Sequence, residues 1–128
     1  MVKDNRGKTI LVIEDDKKLL LVFEHNLEKA GYRVISAIDG MEGLKLLESV
    51  DYDLVITDIV IPYISGIGLI SSLKGKHPNI PAIAITEYGE EPLRAAKEKS
   101  ADVMLDKPLE MPRLIGHIEK LLYTNTTI

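Results

Sequence analysis

Four short apolar runs in this chain each stop at a polar residue. Ile10-Leu11-Val12-Ile13 precedes Glu14-Asp15-Asp16, and Leu54-Val55-Ile56 precedes Thr57-Asp58. Ala82-Ile83-Ala84-Ile85 precedes Thr86, and Val103-Met104-Leu105 precedes Asp106-Lys107. Between these runs, apolar residues recur at helical spacing. Asp16 caps a helix to about Ala30 that presents Leu20, Phe23 and Leu27, and Gly31 ends it. The run Leu19 to Phe23 alone could pass for a strand, but the length of the segment and the Gly31 stop favour a helix.

Arg33 to Ala37 alternates as an edge strand does, and Asp39-Gly40 turns into a helix carrying Met41, Leu44 and Leu47. Tyr52 to Thr57 is the third strand. A loop with Pro62, Ser65 and Gly66 precedes a helix bearing Ile67, Ile70 and Leu73 that stops before Pro78. Gly66 and Gly68 read as loop residues needing permissive dihedrals, not as a phosphate cradle. Pro81 opens the fourth strand, and Pro92 starts a fourth helix running to about Ser100. Asp102 to Leu105 is the fifth strand. A fifth helix starts near Met111-Pro112 and presents Leu114, Ile118, Leu121 and Leu122.

Strand and helix alternate five times, which predicts an α/β fold: a three-layer, doubly wound parallel sheet of five strands. The second strand is the least apolar, and right-handed crossovers favour the strand order 2-1-3-4-5, the flavodoxin-like arrangement. In such sheets ligands bind outside the carboxyl ends of the strands, where all four runs deliver polar residues.

Composition narrows the picture modestly. With 128 residues, 45% hydrophobic and 28% charged, the chain is expected to be one globular domain, with a core over about residues 8–123 and a fraying polar tail at 124–128. No output domain is expected within these residues. A net charge of −4 gives no electrostatic reason to expect nucleic-acid binding. There is no cysteine, no apolar stretch near the roughly 20 residues that span a bilayer, and no signal-peptide pattern at the start. A cytoplasmic protein with no membrane partner is the simplest expectation.

Glu14 and Asp15 follow the first strand and Asp58 follows the third, so the predicted strand order crowds three carboxylates together. Two such charges about 4 Å apart repel by roughly 4 kcal/mol at an effective dielectric near 20. A hard divalent cation offsets this, and Mg²⁺ suits a few carboxylates, waters and a phosphoryl oxygen. Calcium fits less well, since no EF-hand-like run of ligands is present. Thr86 offers a hydroxyl and Lys107 an ammonium to a phosphoryl group. Asp58 is the best nucleophile among the acids, central in the sheet and opposite the lysine.

Taken together and in order, Ile10 to Asp16, Asp53 to Asp58 continuing to Pro62 and Gly66, Ile83 to Thr86, and Asp106-Lys107-Pro108 carry a specific resemblance. Over nearly its full length the chain resembles a response-regulator receiver domain of two-component signalling. The resemblance implies that Asp58 is the phosphoacceptor and that Mg²⁺ is held by Asp15, Asp58 and the backbone carbonyl of Val60, with Glu14 acting through water. It implies that Thr86 and Lys107 contact the phosphoryl group, and that the Lys107-Pro108 bond is cis. The implied donor is a phosphohistidine on a sensor histidine kinase or phosphotransfer protein. The implied output is a population shift at the surface formed by the fourth helix, fifth strand and fifth helix. That surface would serve an output domain, a partner protein or a homodimer.

The chain departs from the family pattern in several places. Met104 stands where an aromatic usually swings, and Glu87 follows Thr86 where a small residue is usual. Val60 and Tyr88 occupy positions thought to influence hydrolysis. Asp16 is expected to be a helix cap, Lys17-Lys18 a solvated pair, Met104 packing, and His25, His77 and His117 ordinary surface residues. The alternative function is a degenerate receiver, used as an interaction module without phosphorylation. A flavin or nucleotide binder would need a glycine-rich loop after the first strand, where acids stand. An aspartate-nucleophile phosphatase would carry an acid at Val60.

Overall fold

The computed structural model describes residues 7–87 and 101–123. In chain order these form β1 (Thr9–Ile13), α1 (Lys17–Lys29), β2 (Arg33–Ala37), α2 (Gly40–Ser49), β3 (Leu54–Asp58), α3 (Gly66–Lys76), β4 (Ala82–Thr86), β5 (Val103–Asp106) and α4 (Met111–Tyr123). The helix expected from Pro92 and the fraying of the tail fall outside the described residues. The five strands form one parallel sheet in the order β2-β1-β3-β4-β5, as the pattern predicts.

The continuous apolar runs are two interleaved faces. Ile10, Val12, Leu54, Ile56, Ile83 and Ile85 point to one side, where Leu20, Phe23 and Leu27 of α1 and Leu114 and Ile118 of α4 cover them. Leu11, Ile13, Val55, Ala82 and Ala84 point to the other, against Leu47 of α2 and Leu69, Ile70 and Leu73 of α3. A strand buried on both faces needs no polar alternation, which is why these segments read as unbroken apolar stretches. Local signals set the helix limits. Asp16 Oδ1 accepts from the Lys18 and Leu19 N–H groups, and Gly31 ends α1 at φ 101°. Lys17 and Lys18 are solvated, as expected, and His25 and His77 are exposed.

The structure corrects five local expectations. β3 runs Leu54–Asp58 rather than Tyr52–Thr57, and β5 runs Val103–Asp106 rather than Asp102–Leu105. The polar residue closing each run is still paired in the sheet, Asp58 with Ile85 and Asp106 with Thr86, so it belongs to the strand. Met41 is exposed rather than part of the buried face of α2, because glycines take that place: Gly43 packs directly on Ile13. Ile67 is only half-buried, and Leu69 fills the core in its stead.

The fifth correction concerns glycine. Gly66 lies in the first turn of α3 and Gly68 inside it, neither at positive φ. What Gly66 provides is proximity: a Cβ there would lie 2.2 Å from the Asp58 carbonyl oxygen. The left-handed residue of this loop is Tyr63, at φ 74°.

Candidate functional site

The carboxyl edge of the sheet gathers the polar ends of β1, β3, β4 and β5. Glu14, one residue past β1, is completely buried, and its N–H donates to the Ala37 carbonyl at 3.0 Å. Its Oε2 accepts from the Asp16 N–H at 3.0 Å. Its Oε1 lies 3.1 Å from Lys107 Nζ, yet makes no aligned hydrogen bond. Burial raises the Glu14 pKa to about 7, and the Asp58 charge adds to that. The Asp16 N–H and Lys107 offset only part of the rise.

Asp58 is 4% exposed and held on both oxygens. Oδ1 accepts from the Val60 N–H at 3.1 Å, and Oδ2 accepts from Lys107 Nζ at 2.5 Å. Its main chain is clamped as well. The Thr57 hydroxyl donates to the Asp58 carbonyl, and the Gly66 N–H donates to the Ile59 carbonyl, bringing the start of α3 against this backbone. The missing side chain of Gly66 is what permits that approach.

Lys107 reaches the acids from β5. Its N–H donates to the Thr86 carbonyl at 2.8 Å, and the following peptide bond to Pro108 is cis. Burial would push its ammonium down, but the hydrogen bond to Asp58 and the contact with Glu14 outweigh this and hold the pKa above the usual lysine value. Thr86 is fully buried at the end of β4.

Oxygens of Glu14, Asp15 and Asp58 lie within 4.8 Å of one another, so the expected acidic cluster forms. Asp15 is its exposed member. Three carboxylates this close together, two of them buried, suit a hard divalent cation. Asp16 faces away as a helix cap. Val60 contributes its N–H to Asp58 while its side chain is exposed. Met104 is half-buried packing on the α2–α3 face, and Glu87 is exposed. Tyr88 lies outside the described residues.

Three structural features escape a reading of the sequence. Asp53 accepts from the Thr9 N–H at 2.7 Å, and Asp102 accepts from the Ala82 N–H and from Lys74 Nζ, both at 2.8 Å. These acids staple the opposite, amino edge of the sheet. A carboxylate directly before an apolar run was the available signal. Tyr32 is buried with no hydrogen-bond partner for its hydroxyl, which nothing in its local sequence announces.

Residues 10–119 match the response regulator receiver domain family. The chain belongs to this family. The receiver is similar to the alkaline phosphatase synthesis transcriptional regulatory protein PhoP of Bacillus subtilis, at 31% identity over 117 residues, 91% of this chain and 49% of PhoP. It is 32% identical over 114 residues to the transcriptional regulatory protein CusR of Escherichia coli, covering 88% of this chain and 50% of CusR. The chain thus spans about half the length of the curated relatives it matches.

Among solved structures, the response regulator receiver domain protein of Methanospirillum hungatei superposes with a TM-score of 0.88 at 28% identity, covering 93% of this chain and 96% of that one. The signal receiver domain of a histidine kinase from Syntrophus aciditrophicus gives 0.86 at 28% identity, covering 95% of each chain. Among the described residues, no helix of this receiver is long and apolar enough to cross a membrane.

Proposed function

We propose that this receiver accepts a phosphoryl group on Asp58 from a phosphohistidine, carried by a sensor histidine kinase or phosphotransfer protein. The observation that carries this reading is the Lys107 ammonium, seated between the Asp58 and Glu14 carboxylates with Asp15 alongside. A carboxylate oxygen of Asp58 forms the new O–P bond as the P–N bond breaks. The imidazole nitrogen leaves with the bonding pair and takes up a proton. Lys107 and the Thr86 hydroxyl neutralise and orient the transferred phosphoryl oxygens.

Glu14, Asp15, Asp58 and the Val60 carbonyl would hold Mg²⁺. When bound, it supplies positive charge to the phosphoryl oxygens and cancels carboxylate repulsion. Phosphorylation then shifts the population at the surface containing β5 and α4. The lengths of PhoP and CusR favour an output domain or partner protein as the reader of that change. Pairing of two receivers through the same surface, and a cytoplasmic location, belong to the same proposal.

The test is incubation with acetyl phosphate and Mg²⁺, read by intact-protein mass spectrometry. The expected result is the mass gain of one phosphoryl group, abolished in Asp58→Asn and by chelation. No gain in the wild-type chain would leave the protein as an interaction module.

A further inference from the structure

Among the described residues, four buried positions carry a carboxylate or an aliphatic hydroxyl: Glu14, Thr57, Asp58 and Thr86. The function proposed above employs three of them. Thr57 is the fourth; it is completely buried and stands immediately before the phosphoacceptor. Strand alternation turns its side chain away from that of Asp58. In register it lies between Ile13 of β1 and Ala84 of β4, on the face that Val55 and Ile59 share and that α2 and α3 cover. Each of those four neighbours is apolar. A valine has the same branched shape, suits a strand equally well and has no hydroxyl to desolvate. Packing alone therefore gives no reason for threonine here.

What the hydroxyl does is donate to the Asp58 carbonyl at 2.9 Å. That carbonyl belongs to the peptide unit joining Asp58 to Ile59. The N–H of the same unit donates to the Ile85 carbonyl, also at 2.9 Å. A peptide unit is rigid and planar, so bonds at both its polar groups stop it from rotating between its flanking Cα atoms. Gly66 closes a further side: a Cβ there would lie 2.2 Å from the Asp58 carbonyl oxygen and 2.8 Å from the Ile59 Cα. The rotation denied to this plane is ψ of Asp58, and the backbone angles govern which rotamers the Asp58 side chain can take. The next peptide unit carries the Val60 N–H, which donates to Asp58 Oδ1 at 3.1 Å, so a slip of the first plane would move this donor too.

We propose that Thr57 is a positioning residue for Asp58: by clamping the Asp58 carbonyl, its hydroxyl holds the carboxylate oxygen on the line of phosphoryl transfer. This rests on the function proposed above. In-line attack brings the reacting atoms within about 3.5 Å, and small misplacements there are costly. The clamp acts in two steps. When the label forms, an Asp58 oxygen makes the O–P bond as the donor's bond to phosphorus breaks. When the label is lost, a water oxygen bonds to phosphorus and the bond to the Asp58 oxygen breaks. Its electron pair returns to the carboxylate, and the water gives up a proton to solvent as inorganic phosphate leaves. Both steps need the same Asp58 oxygen in line through phosphorus, so loosening the clamp slows both by a similar factor.

The experiment uses three variants. Thr57→Val removes the hydroxyl at constant shape, Thr57→Ala removes it with the methyl group, and Thr57→Ser keeps the hydroxyl and loses the methyl. Each variant and the wild type is labelled with acetyl phosphate and Mg²⁺. Intact-protein mass spectrometry follows the rate of labelling and then, after desalting, the first-order rate of loss. Both rates are expected to fall about fivefold in Thr57→Val and Thr57→Ala, the worth of one neutral hydrogen bond, and to stay within about twofold of wild type in Thr57→Ser. A hydroxyl that served stability alone would lower the fraction of chains labelled and leave the rate of loss unchanged, because only folded molecules carry label. That result overturns the proposal, as do wild-type rates in Thr57→Val or a Thr57→Ser chain as slow as Thr57→Val. If Thr57→Val does not fold, the other two variants decide: Thr57→Ala at wild-type rates, or Thr57→Ser as slow as Thr57→Ala, overturns it. A wild-type chain that acetyl phosphate cannot label overturns the underlying function and this role with it, a result distinguishable from all of these.

Discussion

The two edges of the sheet use the same residue types to opposite ends. At the amino edge, Lys74 Nζ reaches Asp102 at 2.8 Å, the Ile80 carbonyl at 2.7 Å and the Pro78 carbonyl at 3.4 Å. Asp102 also receives the Ala82 N–H. Each charge there is matched by partners, and the result is a clasp joining α3, β4 and β5. At the carboxyl edge, Lys107 faces two carboxylates, and one buried Glu14 oxygen lacks an aligned donor. A satisfied ion cluster holds a fold together; a crowded and incompletely satisfied one is poised to bind something.

The largest expected effect that sharpens this contrast is pH dependence at the carboxyl edge. The Glu14 pKa is about 7 in the folded chain against an ordinary 4.5. Below the lower value both states hold the proton. Between the two values the folded state holds more protons than the unfolded one, so stability falls as pH rises. The loss should total on the order of 3 kcal/mol and level off above pH 7. Lys107 acts in a separate window, since its raised pKa matters only on the alkaline side. Urea titrations of the metal-free protein between pH 4.5 and 8 check this, and Glu14→Gln should flatten the profile.

Slightly smaller is the effect of Mg²⁺. At 100 times its dissociation constant the ion should add about 2.7 kcal/mol at pH 8. The gain should shrink below pH 7, because Glu14 must then release a proton before the acidic cluster is fully charged. Thermal melts across a magnesium titration at two pH values would show it; an increment equal at both would break the link between the ion and Glu14.

The smallest effect belongs to the clasp. Asp102→Ala should cost about 2 kcal/mol by stranding the Ala82 N–H and removing the counter-charge of the Lys74 ammonium. Acetyl phosphate labelling of Asp58 should be unchanged. If labelling falls with stability, the two edges are energetically coupled and the contrast fails.

Much of the site was legible in one dimension because a parallel sheet sorts residues by their position on a strand. Residues ending β1, β3, β4 and β5 must share an edge, so Glu14, Asp15, Asp58, Thr86 and Lys107 could be grouped from spacing alone. The same logic applies to Asp53 and Asp102, which directly precede apolar runs and sit at the opposite edge. It gives no hint of Lys74, whose partners are two carbonyls of the connection between α3 and β4 and the carboxylate of Asp102, just before β5. Nor does it expose Gly66, since a close backbone approach leaves no trace beyond the glycine itself. Met41 shows the reverse error: helical spacing marked it for the core, but the small faces of Gly40 and Gly43 bring α2 onto its neighbours and leave Met41 outside.

The sequence by itself determined the element order, the strand order and the edge at which chemistry gathers, because burial periodicity and crossover handedness are properties of the chain. Only the tertiary structure decided how charges are balanced there: which Glu14 oxygen goes without a hydrogen bond, which Asp58 oxygen Lys107 holds, and which apolar side chains stay in water. Those outcomes depend on distances of a few ångströms between segments far apart in sequence, where desolvation and Coulomb attraction change steeply and no local pattern records them.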